Sequence, residues 1–508
     1  MSQWPPTIVA AAEQAAARWP ASPALIASGR TWTFAELWDE ARAAASMMLA
    51  RGIVPGDRIA VWAPNLPGWI FAALGAQICG AALVPLNTRF KGEEAGDILR
   101  RSRTAMLFTV RGFLGIDYPA LLAGQVLPDL RETVMLEDWD AFVSAGRGPD
   151  DPAVAAAARA VRAEHVSDII FTSGTTGVPK GVLTAHGQVT AMFGDWAVRV
   201  DLRAGDRYLI VNPFFHTFGY KAGWVACLVR GATIVPQPEF DVAETARLIE
   251  TYRVSFIPGP PTIYQSLLAA RGDAARDLSS LRVAVTGAAP VPPVLVQRMR
   301  DELGMANVVN GYGMTECGAI TMTCQGDPPE LVANSCGTAL PDIELRCVGD
   351  DGLDVTSGQP GEILVRGPGV MLGYLDDPVA TGEAIDAKGW LRTGDIGTLD
   401  ANGYLKITDR KKDMFICGGF NCYPAEIESL LCRHSAIEMA AVIGVPDERM
   451  GEVGLAFVVL RSGRSVTSEE LREWARGAMA NYKVPRAIEV VDALPRNAAG
   501  KVVRAALR

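Results

Sequence analysis

The densest chemistry in this 508-residue chain lies in Thr172-Ser173-Gly174-Thr175-Thr176-Gly177-Val178-Pro179-Lys180-Gly181. Small and hydroxyl-bearing residues expose many N–H and O–H donors, and Lys180 adds a positive charge. A loop of that kind can cradle a polyphosphate. It is not a Walker loop, because Val178 and Pro179 separate Gly177 from the lysine. A plain surface turn is the alternative, and ten residues of unbroken pattern argue against it. Lysine is otherwise scarce: only nine of the 48 basic residues are lysines. Where arginine is the default cation, Lys180, Lys412 and Lys501 stand out, and each sits in a compact motif. Metal chemistry based on histidine is excluded by count, since the four histidines at 165, 186, 216 and 434 are scattered. Cys417 and Cys422 bracket a Gly-Gly pair but have no second pair at zinc spacing.

The elements around these residues can be read from periodicity. An apolar strand, SDIIF, leads into the phosphate-type loop. Thr33 and Glu36 form a capping-box pattern ahead of the helix AELWDEARAAASMMLAR, which stops at Gly52. Asp241 and Glu244 cap a second helix, TARLIETYR, and the buried strand VSFIPG follows. LRVAVTGAA at 281–289 is a further strand with a small-residue exit. Helices alternating with apolar strands predict parallel sheets covered on both faces. After about residue 330, IELRCV, GEILVRG and GYLKITD alternate with Gly- and Asn-rich turns, which predicts a small antiparallel sheet or barrel. The last hundred residues read as a separate α+β unit. The expected fold is α/β: two parallel α/β sheet subdomains plus a small β-barrel-like subdomain in residues 1–411, then a mobile α+β domain in 412–508.

Composition narrows the function. The net charge is −9, and 49% of residues are hydrophobic. That excludes a broad basic field for nucleic acid and is ordinary for a globular chain. The N-terminus lacks a secretory pattern. Trp69–Leu86 is long enough to span a bilayer, but Gln77 interrupts it and Gly80 splits it, so it is expected to form a buried helix and strand without membrane insertion. Sparse cysteine fits a reducing cytoplasm.

Five motifs in order carry a resemblance over the whole chain. They are the loop at 172–181; Gly311-Tyr312-Gly313-Met314-Thr315-Glu316; Thr393-Gly394-Asp395; Ile407 to Asn421, continuing to Pro424-Ala425-Glu426; and Pro495-Arg496-Asn497-Ala498-Ala499-Gly500-Lys501. Together they resemble the acyl-adenylate-forming superfamily of acyl-CoA synthetases, peptide-synthetase adenylation domains and luciferases. The resemblance implies a two-step reaction: a carboxylate attacks the α-phosphate of MgATP to give acyl-AMP and pyrophosphate, and a thiol then takes the acyl group and releases AMP. It implies nucleotide contacts at Thr172, Ser173, Gly174, Thr175, Thr176, Gly177, Lys180, Gly287, Ala288, Ala289, Gly311, Tyr312, Gly313, Thr315, Asp395, Ile407 and Arg410. Tyr312 would stack on adenine, Thr315 would donate to the α-phosphate, and Asp395 would accept from both ribose hydroxyls. Thr172 and Glu316 would hold Mg²⁺, which needs few carboxylates. Lys501 would bridge the acid and the α-phosphate, Lys412 would be the hinge, and Gly418 and Gly419 would line a pantetheine tunnel, with Gly419 the tighter.

The acceptor implied is free CoA, because no carrier domain follows Lys501. The acid pocket is expected from Phe215, His216, Phe218, Gly219, Tyr220, Trp224, Gly259, Gly287 and Gly311, within the longer run Asn212 to Lys221. His216 would orient the acid. NPFFHTFGYKAG and PGPPTIYQSLL resemble segments of the actinobacterial ligases that activate methylhexahydroindanedione propionate (HIP), a two-ring remnant of steroid catabolism. Medium-chain and aryl acids are the alternative substrates. A carrier-protein acyl-AMP ligase, a luciferase-like oxygenase and a non-enzymatic nucleotide sensor are the alternative functions. A homodimer is compatible with the sequence.

Overall fold

The structure is a computed structural model that describes residues 3–172, 179–270, 276–287, 291–349, 351–410, 415–495 and 504–507. The elements form for the reasons the sequence suggests. Thr33 and Glu36 complete their reciprocal cap at the start of helix Phe34–Ala50. Asp241 Oδ1 accepts from the Glu244 amide ahead of helix Val242–Tyr252. The long apolar stretch splits into helix Pro67–Ile78 and strand Ala82–Pro85. Among the described residues no helix is long and apolar enough to cross a membrane.

Two large sheets make the body. A 7-stranded sheet runs in parallel through Ala82–Pro85, Arg58–Trp62, Met106–Thr109 and Glu132–Met135, and strand Val166–Thr172 joins it beside Ala82–Pro85. The hairpin partner Lys180–Ala185 and the short strand Gly373–Tyr374 extend this sheet in antiparallel fashion. A 9-stranded sheet has Pro23–Ala27, Thr233–Pro236, Arg207–Ile210, Phe256–Pro258, Val283–Gly287 and Asn307–Met314 parallel at its centre. One continuous core lies between and around the sheets and contains Trp62, Trp69, Trp196 and Trp224. Burying an aromatic or large aliphatic side chain contributes about 1.5–3 kcal/mol, so this layer dominates the stability.

The third unit is a 4-stranded antiparallel sheet, in the order Glu344–Val348, Gly361–Arg366, Leu391–Leu399 and Leu405–Arg410. It is an open sheet: among the described residues its outer strands do not pair with each other to close a barrel. The fourth is a 5-stranded sheet built from the C-terminal segment, covered by helices Pro424–Leu431 and Ser468–Ala478. Sheet membership changes between Arg410 and Phe415. The expected boundary and hinge residue, Lys412, lies outside the described residues.

Candidate active site

The hairpin Val166–Thr172 and Lys180–Ala185 holds the ends of the phosphate-type loop as a cross-strand pair, Thr172 opposite Lys180. Ser173, Gly174, Thr175, Thr176 and Gly177 lie outside the described residues. The Lys180 ammonium sits 5.0 Å from the centre of the Tyr374 ring. The Tyr374 hydroxyl in turn donates to Glu316 Oε1 at 3.1 Å. Burial first, and then the Glu316 charge, push the Tyr374 phenol well above its ordinary pKa, so it is a fixed proton donor at neutral pH. One aromatic side chain thus ties together three segments far apart in sequence. Tyr374 escaped the sequence reasoning, because an isolated aromatic after Gly373 carries no recognisable spacing signal.

Glu316 and Thr315 follow strand Asn307–Met314, whose neighbour is Val283–Gly287, with Gly287 opposite Gly311. The chain then folds back as Gly318–Met322. The return is so close that a Cβ on Gly311 would lie 2.0 Å from Met322 Sδ, and one on Gly313 would lie 2.3 Å from Gly318 O. Only glycine permits that approach. Tyr312, between them, donates its hydroxyl to Asp395 Oδ2 at 2.6 Å. Its ring packs on the small sheet with Met314 and Ile407. Asp395 pairs in backbone register with Arg410, and Gly397 with Ile407. Four of the five motifs, at Lys180, Gly311–Glu316, Asp395 and Ile407–Arg410, are therefore brought together by these contacts. Ala288, Ala289 and Lys501 lie outside the described residues.

A metal would find one well-placed carboxylate here. Among the described residues no group of three or more His, Cys, Asp or Glu side chains could hold an ion. Glu316, with hydroxyl oxygens nearby, fits Mg²⁺ carried mainly by substrate phosphates and water.

The residues expected to line the acid pocket lie in the segment after strand Arg207–Ile210. His216 caps a short helical turn, and its Nδ1 accepts from the Phe218 amide at 3.3 Å. His216 is exposed, yet the surrounding protein desolvates its charged form and lowers its pKa. It is neutral at pH 7. Phe215 and Phe218 are half-buried beside it. Gly219 is enclosed, for a Cβ there would lie 2.2 Å from Pro213 O. Gly259 is buried at the exit of Phe256–Pro258.

Tyr220 and Trp224 require a correction. Both have 0% exposure and belong to the core. Tyr220 lies 4.9 Å from Trp224, Trp69 lies 5.5 Å from Phe214, and the Tyr220 hydroxyl accepts from Gln77 Nε2 at 2.7 Å. They pack in the core and present no surface to a ligand. Lys221 also turns inward, pairing with Asp168 at 2.8 Å and donating to Thr184 Oγ1 at 3.0 Å.

The C-terminal domain touches the N-terminal body at Pro260. Gly418 and Gly419, at φ +56° and +84°, turn the hairpin Phe415–Cys417 and Phe420–Cys422. A Cβ on Gly419 would be 3.9 Å from Pro260 Cγ, so the turn lies against the residue that follows Gly259. Gly418 is the more crowded of the two, because its Cβ would meet Met450 Cε at 2.4 Å. The sequence suggested the reverse order. Strand Gly451–Leu460 passes beneath the hairpin, which brings Met450 against Gly418.

These features were compared with known proteins. The model for AMP-binding enzymes matches residues 12–375, and that for the AMP-binding enzyme C-terminal domain matches residues 426–501. The chain is 50% identical to 3-[(3aS,4S,7aS)-7a-methyl-1,5-dioxo-octahydro-1H-inden-4-yl]propanoyl:CoA ligase of Mycobacterium tuberculosis, over 99% of this chain and 98% of that protein. A solved structure of Bacillus subtilis o-succinylbenzoate CoA synthetase (MenE), a double mutant bound with its product analogue OSB-NCoA, is 31% identical. It superposes with a TM-score of 0.84 over 100% of this chain and 99% of that one. The same enzyme in complex with its acyl-adenylate intermediate, OSB-AMP, is 30% identical over 100% and 98% and gives 0.68. The arrangement described above is closer to the former.

Proposed function

Because the chain belongs to the AMP-binding enzyme family, we propose that it is an AMP-forming acid:CoA ligase acting on the propionate side chain of HIP. The observation that carries this reading is the 50% identity, over nearly the full length of both chains, to a ligase named for that acyl group. The geometry agrees with it. Lys180 sits over the Tyr374 ring, the Tyr374 hydroxyl holds the Glu316 carboxylate, and Tyr312 is anchored on Asp395, as a nucleotide site of this kind would need.

In the first half-reaction a carboxylate oxygen of the acid attacks the α-phosphorus of ATP. The bond to the bridging oxygen breaks, and pyrophosphate leaves. Lys180 and the loop hold the outgoing phosphates. Thr315 would donate to the α-phosphate, and Lys501, as its motif implies, would bridge the two anions that must meet. Glu316 and Thr172 would hold Mg²⁺, which supplies charge neutralisation on the phosphate oxygens. Tyr374 fixes the Glu316 carboxylate. Tyr312 offers its ring to adenine while its hydroxyl orients Asp395 toward the ribose, with Arg410 beside it. Neutral His216 can orient the acid without drawing its charge into an ion pair. In the second half-reaction the CoA sulfur attacks the acyl carbon, the carbonyl–oxygen bond to AMP breaks, and the thiol proton leaves to solvent.

We place the enzyme in the cytoplasm, consistent with nine cysteines that are all unpaired. HIP, ATP and CoA are expected to yield thioester, AMP and pyrophosphate in equal amounts. Without CoA, AMP should remain esterified to the acid on the enzyme. Formation of ADP, or sustained turnover without a thiol, would overturn the reading.

The two half-reactions separate at Gly419. We expect Gly419→Leu to leave acid-dependent pyrophosphate exchange intact and to block thioester formation. A side chain at φ +84° is strained by about 1–3 kcal/mol, and its branched end would project toward Pro260, where the thiol arm must pass. Normal CoA turnover by that variant would remove Gly419 from the tunnel.

A further inference from the structure

Among the described residues, Lys483 is a deeply buried cation in the contact between the two domains, with a side chain only 2% exposed. Its Nζ lies 2.7 Å from Glu94 Oε1, on helix Gly92–Arg101 of the N-terminal body. It lies equally 2.7 Å from Glu426 Oε1, on helix Pro424–Leu431 of the C-terminal domain. The Phe90 ring closes the site at 4.9 Å. Around it, Asn87 Nδ2 donates to the Tyr482 hydroxyl at 3.2 Å, and Tyr482 stacks on Phe420 at 4.5 Å. Arg433 and Glu93 form an outer, exposed pair.

The two carboxylates are not equivalent. Glu426 is carried by the same domain as Lys483 and moves with it. Glu94 belongs to the other domain, and its Oε2 also accepts from the Lys91 amide at 2.9 Å, which pins the carboxylate in place. A buried cation with one carboxylate removed is left poorly compensated. The Glu94 contact is therefore complete only when the C-terminal domain sits as it does here, with the Gly418–Gly419 turn against Pro260.

We propose that Lys483 and Glu94 are positioning residues that latch the domains in the thioester-forming arrangement. This rests on the ligase reading above, since it assigns the latch to the second half-reaction. Neither residue touches the reacting atoms. Their effect runs through the placement of Gly418 and Gly419, close in sequence to Phe420, which Tyr482 holds. The latch raises the share of molecules whose tunnel is formed, and it contributes nothing to adenylation, for which Lys501 has to approach instead.

The test is Glu94→Gln. The amide oxygen can still accept from Lys91, so the helix cap survives while the charge partner is lost. Acid-dependent pyrophosphate exchange should be unchanged. Conversion of enzyme-bound acyl-AMP to thioester in a single turnover should slow by on the order of 10-fold or more, less than the full loss of a buried pair costs because Lys483 keeps Glu426. Hydrogen exchange, measured on the full chain without substrates, should rise in residues 92–101 and 480–486 and stay constant in the strands of the body. Equal loss in both half-reactions would make the pair merely structural and overturn the proposal. So would unchanged thioester formation with unchanged exchange. A wild-type enzyme inactive in both half-reactions would instead overturn the ligase reading and with it the step assigned to the latch, while the exchange comparison would still decide whether Glu94 holds the domains together.

Discussion

Replacing Lys501 with alanine is expected to slow acyl-adenylate formation by about 10²–10³, the usual cost of deleting one preorganised donor to developing charge. The argument is electrostatic. The acid and the α-phosphate are both anionic, and their approach adds negative charge at phosphorus. A single ammonium between them lowers that repulsion only in the transition state. Lys501 stands in PRNAAGK, and it lies outside the described residues, so the prediction comes from the motif and the reaction. The second half-reaction needs no such charge at that point. Acyl-AMP supplied directly should still be converted to thioester by the variant. Pyrophosphate exchange and single-turnover thioester formation, measured side by side, decide it. If both fell together, Lys501 would have a structural role or serve both steps.

The largest expected effect on stability lies beneath the cleft. Asp168 and Lys221 form an ion pair at 2.8 Å with 0% and 2% exposure. Asp168 belongs to strand Val166–Thr172 of the 7-stranded sheet, and Lys221 follows strand Arg207–Ile210 of the 9-stranded sheet. The pair therefore ties strand Val166–Thr172 to the helical segment Tyr220–Val225. Ser167 Oγ donates to Asp168 Oδ2 at 2.7 Å, and Thr184 Oγ1 receives the lysine, so the site is built for charge. Asp168→Ala leaves the ammonium buried beside a lone hydroxyl and should destabilise the N-terminal body by about 3–5 kcal/mol. Removing both charges, with Asp168→Leu and Lys221→Met, should restore most of that loss, because the desolvation of two ions no longer has to be offset. Denaturant midpoints of the single and double variants test this. A single variant within about 1 kcal/mol of the parent, the range of an exposed pair, would contradict it.

The order of elements was legible because its signals are local. Caps at Thr33 and Asp241, glycine stops and alternating turns each act within a few residues. The motifs themselves were legible for a similar reason: each is a compact string, and the strand ends at Lys180, Gly311–Glu316 and Asp395 are linked by contacts in space. What stayed hidden depends on partners far apart in sequence. Lys221 lies in the run NPFFHTFGYKAG and looked like a pocket residue, yet its carboxylate is on another sheet. Tyr220 and Trp224 looked like pocket walls for the same reason, since a run of aromatics does not say which side chains face inward. Tyr374 matters only because Lys180 and Glu316 flank it in space. Lys483 meets Glu94 across 389 residues. The relative crowding of Gly418 and Gly419 depends on Met450, which the hairpin sequence does not contain.

The most direct test of the central claim is the ratio of kcat/KM values for a panel of acids, measured as CoA-dependent AMP release. The panel holds HIP, octanoate, a steroid side-chain acid and benzoate. A pocket shaped for a rigid bicyclic propionate should favour HIP by on the order of 100-fold, a discrimination within reach of apolar complementarity. Equal or better turnover of octanoate or benzoate would contradict that acid as the substrate, while leaving the ligase chemistry in place.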